Sequence, residues 1–340
     1  MPGVRVSGTG SVVPDEVITN AELARRWSIE TDDAWITRRT GIRERRFAPA
    51  GVSTSDLGLI AAKRAVEDAG VDAASIDTIV FCTLSPDRVF PGCAVDVAVG
   101  LGLCDAGRFV PAIDVRNQCS GFVYGLSHAA ALIRAGMAKR VLLVGADIHS
   151  AALDLSTRGR AVASLFGDGA GAVVLEAQAE PGLRALRLGA DGRFADALCQ
   201  RVWDMRARPF VEVDEAGQGV IPPERLWAQM QGQLVFRHAI ERMCEVLLDA
   251  CAEAGVDVQA LDHVFFHQAN LRISQAVVER LGVDPARAPS NIERYGNTTS
   301  ASIPLLLDEA ARRGALRRGQ TIGIVAFGSG FTWGAAILDW

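Results

Sequence analysis

Apolar residues recur along the chain in two alternating patterns. Residues 57–68 and 239–253 carry apolar side chains at helical spacing, and continuous apolar runs follow at residues 78–84 and 263–268. A short apolar run between turn residues is typical of a buried strand. Both regions therefore predict the same order of helix, turn and buried strand.

A short sequence string marks the end of both predicted helices. Ala-Gly-Val-Asp stands at residues 69–72 and again at residues 254–257, an offset of 185. A repeated order of helices and strands predicts a duplicated α/β domain with mostly buried sheets. We expect two halves, residues 1–177 and 178–340, with an insertion in the second half at about residues 193–229.

A second pair of landmarks supports the duplication. Cys119 stands 17 residues before Gly136, and Asn297 stands 17 residues before Gly314. Each pair brackets an apolar helix, which is followed by an apolar strand, a glycine-rich turn and a second strand. If the halves pack about a pseudo-twofold axis, this spacing makes Cys119 and Asn297 symmetry mates. His267 follows a buried strand, where side chains reach into a crevice, so the three residues are expected to converge.

Composition narrows the class of protein. The chain has 340 residues, of which 49% are hydrophobic and 22% charged, an ordinary globular balance. Its formal net charge of −5 argues against a nucleic-acid partner. No stretch approaches the ~20 apolar residues that span a bilayer, and the first 14 residues do not resemble a signal peptide. These features predict a soluble, cytoplasmic protein that does not enter a membrane.

Cysteine and arginine are the residues whose distribution is informative. The seven cysteines show no Cys-x-x-Cys spacing, so neither a metal site nor a disulfide framework is expected. Residues 38–46 hold five arginines, and this cluster is interpreted mainly as solvated surface.

One cysteine is placed for reactivity. Cys119 opens a predicted buried helix, where free N–H groups and the helix dipole favour the thiolate and should lower the pKa. His267 and Asn297 have ordinary alternatives, as a satisfied histidine and a helix cap, and Asn270 can also cap a helix. Together, however, a thiol, an imidazole and an amide can accept an acyl group and stabilise charge on a thioester oxygen.

Several segments, in order along almost the whole chain, resemble the ketoacyl-acyl-carrier-protein synthase III family of the thiolase superfamily. They are Trp35-Ile36, Arg39-Thr40-Gly41-Ile42, Cys119-Ser120-Gly121-Phe122, residues 166–171, residues 267–272, Gly296-Asn297-Thr298 and residues 327–334. The ordered Cys, His-Gln-Ala-Asn and Gly-Asn-Thr segments are the specific ones. The resemblance implies a five-layered αβαβα thiolase-like fold with two mixed sheets, and a homodimer.

The resemblance also implies a reaction. Cys119 would take an acyl group from a CoA thioester. His267 and Asn297 would hydrogen-bond a malonyl thioester, carried by acyl carrier protein or CoA, as it loses carbon dioxide. Backbone N–H groups of Cys119 and Ser329 would form a second oxyanion hole. No metal or further cofactor is implied.

Binding contacts are assigned by the same resemblance. The residues expected to contact CoA are Trp35, Arg39, Arg158, Gly232 and Asn270. Phe90 would line the acyl pocket, as a contribution across the dimer. The residues expected to receive the acidic carrier protein are Arg237, Arg272 and Arg280.

Two departures from the family pattern lead to a hypothesis about the primer. Residues 116–118 read Arg-Asn-Gln, where fatty-acid-initiating members usually carry small residues. The segment 193–229 looks longer than in acetyl-primed members and holds Trp203, Phe210 and Trp227, which are equally compatible with ordinary core. We therefore hypothesise a medium- or long-chain acyl primer.

Four other functions are weighed against condensation. A non-decarboxylating thiolase would need a second reactive cysteine, and a hydroxymethylglutaryl synthase would need a carboxylate base near the nucleophile. An ester-forming acyltransferase of secondary metabolism would not need both His267 and Asn297. A non-catalytic acyl-binding subunit would not need Cys119. The set of three residues favours condensation.

Overall fold

The computed structural model describes residues 1–340, except for the side chain of Ala106. The strands of the first part of the chain are β1 (Gly3–Val12), β2 (Val17–Thr19), β3 (Glu44–Arg46), β4 (Thr78–Cys82), β5 (Ala112–Val115), β6 (Arg140–Asp147) and β7 (Gly169–Gln178). The helices of this part are α1 (Asn20–Arg26), α2 (Asp33–Thr40), α3 (Thr54–Asp68), α4 (Cys93–Gly100), α5 (Gly121–Arg134) and α6 (Arg160–Ala163).

The rest of the chain repeats this alternation. Its strands are β8 (Leu183–Ala190), β9 (Leu198–Cys199), β10 (Glu212–Val213), β11 (Gly219–Val220), β12 (Gln229–Met230), β13 (His263–Phe266), β14 (Thr321–Gly328) and β15 (Thr332–Asp339). Its helices are α7 (Pro223–Leu226), α8 (Gly232–Ala254), α9 (Leu271–Leu281), α10 (Ile292–Tyr295) and α11 (Ser302–Arg312).

Two mixed sheets share one topology. Sheet A has the order β1-β7-β6-β4-β5, and sheet B has the order β8-β15-β14-β13. In sheet A, β7 is antiparallel to β1 and β6, whereas β4 is parallel to β6 and β5. In sheet B, β15 is antiparallel to β8 and β14, whereas β13 is parallel to β14. The shared order and directions agree with an internal duplication, and β5 adds an edge strand to sheet A.

Helices and sheets alternate in five layers, and three hydrophobic clusters fill the spaces between them. The central cluster joins α5 and α11 to the inner faces of both sheets. A second cluster packs α3 and α4 on sheet A, and a third packs α8 and α9 on sheet B. Alternate residues of β4 follow this division, because Val80 faces the central layer whereas Ile79 and Phe81 face α3 and α4. The layer order confirms the predicted five-layered αβαβα fold.

The repeat has a different register around the central helices. Helix α5 begins at Gly121 after a 3-10 turn at Gln118–Ser120, and α11 begins at Ser302 after a 3-10 turn at Thr299–Ala301, an offset of 181. Strands β6 and β14 begin with the same offset. The two turns are therefore equivalent, residue by residue.

This register corrects one prediction. Cys119 corresponds to Ser300, so the prediction that Asn297 is its symmetry mate is wrong. Gln118 and Thr299, which precede the two equivalent residues, both have left-handed backbone, with φ of 45° and 48°. The glycines that follow the two helices are not equivalent, because α5 has 14 residues and α11 has 11.

Arg45 is an exception to the predicted solvated arginine surface. Its side chain is fully buried. The guanidinium donates hydrogen bonds to the carbonyl oxygens of Ile18 at 3.1 Å and Ser164 at 2.9 Å. Burial lowers the pKa of Arg45 to about 10, which still leaves it charged at neutral pH. This arginine therefore ties β3 to the segment that leads into β7.

The segment between β9 and β12 leaves the domain and returns to it, and is called the excursion below. Strands β9 and β12 pair antiparallel, with Cys199 opposite Gln229 and Leu198 opposite Met230. Between them lie the β10–β11 hairpin and α7.

Within the part of the chain that the structure describes, every helix is too short or too polar to cross a membrane.

We expect the central layer to dominate stability. Leu307 on α11 is 0% exposed, so the substitution Leu307→Ala should lower the free energy of unfolding by about 3 kcal/mol, because it leaves a cavity between the sheets. Leu248→Ala on α8, where the side chain is 46% exposed, should change it by less than about 0.5 kcal/mol. Urea unfolding monitored by circular dichroism measures both, and equal effects would contradict the layer assignment.

Candidate active site

One cavity of about 1050 Å³ brings together the three residues predicted to react. Cys119, His267 and Asn297 all line it, although they come from three separate segments of the chain. All three side chains are buried, with 4–8% of their surface exposed. The cavity therefore leads from the surface to a thiol, an imidazole and an amide that are largely shielded from water.

Cys119 lies in the turn Gln118–Ser120 that opens α5. Burial, with a smaller contribution from the charge of Asp147, raises the pKa of its thiol to about 12. The side chains of Asn297 and Thr299 and the residue's own backbone N–H act in the opposite direction. The predicted lowering of this pKa is therefore wrong for the free protein, because burial of the sulfur outweighs the donors at the helix start.

The end of β14 lies against the nucleophile. A Cβ atom on Gly328 would lie 3.0 Å from the Cβ of Cys119 and 3.1 Å from its backbone nitrogen, so a larger residue would displace the nucleophile. Ser329 follows directly, and its hydroxyl donates to the carbonyl oxygen of Leu198. This contact fixes the glycine-rich turn beside the wall of the cavity, which Leu198 also lines.

His267 is a neutral imidazole with one free nitrogen. It follows β13, and its backbone N–H donates to the carbonyl of Val325 at 2.9 Å. The ring Nδ1 lies 2.7 Å from the Ser302 hydroxyl, whereas Nε2 is buried and has no hydrogen-bond partner among the described residues. Burial, together with the nearby His149, lowers the pKa of His267 to about 3. The unpartnered nitrogen is therefore available to a bound substrate.

Asn297 is held by its backbone and oriented by its side chain. Its N–H donates to Leu165 at 2.8 Å, and its carbonyl accepts from Gly167 at 3.1 Å. The side-chain Oδ1 accepts the Thr299 N–H at 2.8 Å. Because the oxygen is occupied in this way, the Nδ2 donors are left for the cavity.

Asp147, at the end of β6, supports the site from behind. Its fully buried carboxylate accepts six hydrogen bonds, four from residues 83–85 and two from Ser300. These bonds join the exit of β4 to the turn that follows Asn297. Sequence reasoning did not single out Asp147, although an acidic residue directly after the apolar run at residues 141–146 was a usable signal.

Basic and aromatic side chains surround the mouth of the cavity. Five residues with predicted CoA or carrier contacts line it, namely Trp35, Arg39, Gly232, Asn270 and Arg272. The guanidiniums of Arg39 and Arg160 lie 4.7 and 5.5 Å from the centre of the Trp35 ring. Arg160 was not predicted. Asn270 accepts the Arg272 N–H at 3.0 Å, which confirms its predicted role as a helix cap.

Other predicted contacts lie outside this cavity. Arg158 pairs with Asp154 at 2.7 Å, and its side chain is 63% exposed. Arg237 and Arg280 are exposed on α8 and α9. Phe90 is 83% exposed and does not line the cavity of its own chain.

Comparison with known proteins agrees with this geometry. The model of the family described as 3-oxoacyl-[acyl-carrier-protein (ACP)] synthase III matches residues 113–192, and the model of its C-terminal region matches residues 251–340. The fold, the Cys-His-Asn cavity and these matches define an acyltransferase of the thiolase superfamily.

Individual relatives match over the full length. The chain is 45% identical to a beta-ketoacyl-[acyl-carrier-protein] synthase III of Rhodospirillum rubrum, with 98% of each chain covered. A synthase of the same name from Laribacter hongkongensis is 44% identical, with both chains fully covered. The crystal structure of the Thermus thermophilus synthase III superimposes with a TM-score of 0.88 at 37% identity and 99% coverage of both chains. The chain belongs to the 3-oxoacyl-[acyl-carrier-protein] synthase III family, as the resemblance implied.

The raised pKa of Cys119 is directly measurable. Thiolate absorbs at about 240 nm. The absorbance difference between the protein and its Cys119→Ser variant should stay flat up to about pH 10, because a pKa of about 12 keeps the thiol protonated. A titration step centred below about pH 9 would show that the helix start governs this thiol after all.

Proposed function

We propose that the protein catalyses a decarboxylating condensation between an acyl-CoA and a malonyl thioester, the latter carried by acyl carrier protein. The products are a 3-oxoacyl thioester, carbon dioxide and CoA. One observation carries the proposal: a thiol, an unpartnered imidazole nitrogen and an oriented amide line the same cavity. The chemistry uses only groups of the chain and the two thioesters.

Acylation of Cys119 is the first half-reaction. The sulfur attacks the carbonyl carbon of the acyl-CoA, and backbone N–H groups of Cys119 and Ser329 stabilise the tetrahedral oxyanion. The bond to the CoA sulfur then breaks, and CoA leaves as a thiol after taking up a proton. Because the pKa of Cys119 is about 12, its proton must leave as the attack proceeds.

Condensation on the acylated enzyme is the second half-reaction. His267 Nε2–H and the Asn297 Nδ2 group donate to the carbonyl oxygen of the malonyl thioester. Loss of carbon dioxide leaves an electron pair as an enolate, whose charge develops on that oxygen. The enolate carbon attacks the acyl carbonyl, the bond to Cys119 breaks, and the sulfur regains a proton from solvent.

The Ser302 hydroxyl is compatible with either ring tautomer of His267. Its oxygen lies 2.7 Å from Nδ1 of His267. A hydroxyl both donates and accepts, so it satisfies Nδ1 whether or not that nitrogen carries the hydrogen. The contact therefore permits the Nε2–H form that condensation requires.

The mouth of the cavity suits a nucleotide and a phosphopantetheine arm. Arg38, Arg39 and Arg272 present guanidiniums, which pair well with phosphate oxygens, beside the flat ring of Trp35. In this proposal Arg158 must leave Asp154 to reach CoA, while Gly232 and Asn270 line the path of the arm.

The exposed arginines near the cavity suit the carrier protein. Arg237 and Arg280 lie on α8 and α9, and Arg272 begins the latter helix beside the cavity. We assign these three to the acidic carrier.

The seven cysteines are free thiols, which fits the reducing cytoplasm that we propose as the compartment.

Sheet A has an apolar edge that suits a homodimer. Near the edge strand β5, Ile113, Phe109, Val99 and Phe90 are 42%, 85%, 67% and 83% exposed. An unpaired strand edge beside exposed large apolar residues favours association. In a dimer through this edge, Phe90 would reach the acyl pocket of the partner subunit.

Mass in solution tests the proposed dimer. The protein should have twice its chain mass of 36.2 kDa by light scattering after size-exclusion chromatography, and Ile113→Arg should halve that mass, because a charge would be buried in the interface. Met137→Arg alters a side chain that is 75% exposed elsewhere and should leave the mass unchanged. A monomeric protein, or an Ile113→Arg variant that stays dimeric, would exclude this interface.

The excursion between β9 and β12 suits a role at the substrate entrance. Leu198 and Met230, which pair at its base, both line the cavity. The Trp203 ring lies 5.0 Å from the guanidinium of Arg116, three residues before the nucleophile. We therefore propose that the chain has a first half of residues 1–177 and a second half of residues 178–340, with residues 193–229 as an insertion in the second half. This insertion would select a medium- or long-chain primer.

Separate half-reactions test the roles of the site residues. Incubation with acyl-CoAs of two to twelve carbons should give an acyl adduct that peptide mapping places on Cys119, with longer primers preferred. Asn297→Ala should keep acylation within about tenfold but slow condensation by about 10²- to 10³-fold, since it removes a donor to the developing enolate.

Two outcomes of this experiment would count against the proposal. An adduct that persists in Cys119→Ala would show that another residue is acylated. Transfer of the acyl group to an alcohol, with no loss of carbon dioxide from the malonyl thioester, would favour the ester-forming alternative. A best kcat/KM with acetyl-CoA would refute the proposed primer class alone.

A further inference from the structure

The glycine-rich turn after β14 lacks an anchor that its counterpart in the first half has. Strands β6 and β14 are equivalent with an offset of 181, so Gly328 corresponds to Asp147. The Asp147 carboxylate holds Ser300, the counterpart of Cys119, through its backbone N–H at 3.0 Å and its hydroxyl. Gly328 has no side chain that could hold Cys119 in the same way. The position of this turn beside the nucleophile must therefore be fixed by other groups.

Two hydroxyl groups join the turn of the nucleophile to the glycine-rich turn. Ser120, which follows the nucleophile, is fully buried, and its Oγ lies 2.7 Å from Oγ1 of Thr332 at the start of β15. Thr332 donates to the carbonyl oxygen of Ser329 at 2.9 Å. Among the described residues, no other side-chain hydrogen bond joins residues 117–120 to residues 328–332. The two hydroxyls are thus the direct polar link between the turns.

Asn117 extends this link into a chain with one direction. Its side-chain Nδ2 donates to Ser120 Oγ at 2.9 Å. A hydroxyl has one hydrogen, and that of Thr332 is donated to Ser329, so Ser120 is the donor in its bond to Thr332. The carbonyl of Asn117, at 3.1 Å, is the more distant acceptor for Ser120. Hydrogen bonds that run in one direction polarise and strengthen one another.

The rest of the glycine-rich turn is anchored to other segments. The Ser329 hydroxyl donates to the carbonyl oxygen of Leu198. Phe331, which is 1% exposed, exchanges two backbone hydrogen bonds with Asp191, at 2.8 and 2.9 Å. These contacts fix the turn to β9 and to the end of β8, but they do not involve the segment that carries the nucleophile. Its distance from the nucleophile depends on the hydroxyl link.

We propose that Asn117, Ser120 and Thr332 are positioning residues of the acylation step. Their chain sets the distance between the backbone N–H groups of Cys119 and Ser329, the two donors of the oxyanion hole. When the sulfur bonds to the acyl carbon, an electron pair of the carbonyl moves to its oxygen. Two donors stabilise that charge together only if both point at the same oxygen. The inference rests on the proposed function, which assigns the oxyanion hole.

Variants in the chain of hydroxyls test this role. Thr332→Val keeps the shape of the side chain but removes the hydroxyl, Thr332→Ser keeps the hydroxyl, and Ser120→Ala removes the middle of the chain. Thr321→Val is the matched control. Thr321 donates to Asp339 at 3.0 Å across the other end of the same pair of strands, and it does not line the cavity.

Two reactions of Cys119 are compared in each variant. Single-turnover acylation is followed by quenched intact mass over a range of acyl-CoA concentrations. Alkylation by iodoacetamide is followed in the same way. The sulfur displaces iodide from a saturated carbon in this reaction, so no oxyanion forms. Alkylation therefore reports on the thiol alone, whereas acylation reports on the thiol and the oxyanion hole.

We expect Thr332→Val to slow acylation at saturating acyl-CoA by about 30-fold, since a misplaced donor loses most of its effect on the transition state. The half-saturating concentration should change by less than about twofold, because the hole acts on the transition state and not on bound acyl-CoA. Thr332→Ser should recover most of the rate.

Ser120→Ala should have a smaller effect, of about fivefold, because Thr332 can still donate to Ser329. The double variant Ser120→Ala/Thr332→Val should be within about twofold of Thr332→Val, since the chain is already broken there. Alkylation in all variants, and acylation in Thr321→Val, should change by less than about twofold.

Several results would overturn the positioning role. They are unchanged acylation in Thr332→Val, an equal loss in alkylation, a loss in Thr332→Ser as large as in Thr332→Val, or multiplied losses in the double variant. A thermal unfolding midpoint matched to the Thr321→Val control excludes misfolding as the cause. If Thr332→Val does not fold, an unchanged rate in Ser120→Ala refutes the chain by itself. Failure of the unaltered protein to acylate at all would instead count against the proposed function.

Discussion

A buried charge organises the site. Asp147 has no exposed surface, and a carboxylate is costly to bury unless its oxygens are fully hydrogen-bonded. Six donors meet that need, and they come from the loop that follows β4 and from the turn that opens α11. The loops are thereby fixed to each other, and Thr299 is kept in a backbone conformation that a free chain would avoid. As a result, Cys119 and the side-chain amide of Asn297 face each other.

Burial decides the resting state of the reacting groups. The thiol of Cys119 and the imidazole of His267 are both uncharged at neutral pH, since burial raises one pKa and lowers the other. The site thus avoids an ion pair away from water in the free protein. Charge develops only when a substrate carbonyl arrives, and the donors that receive it are already oriented by Ser302 and by the Thr299 N–H.

Sequence reasoning reached the features that follow from periodicity and order. The strands at residues 78–84 and 263–268 were located to within a few residues, and Cys119, His267 and Asn297 were correctly expected to converge. Other features depend on depth or on exact element length. The pKa of Cys119 depends on how far the sulfur is buried, and the symmetry mate depends on three extra residues in α5. The place of Arg160 over Trp35 depends on α6, a helix of four residues that is too short to show a periodicity.

The antiparallel pair formed by β9 and β12 also allows the segment between these strands to vary among related enzymes. Because its two ends pair with each other, everything between Cys199 and Gln229 can change in length without moving the layered core. The entropic cost of a longer surface loop grows only slowly with its length. The excursion is therefore a suitable place for exchanging segments between homologues. Exchange of residues 200–228 offers a route to new substrate ranges without changing the reacting groups.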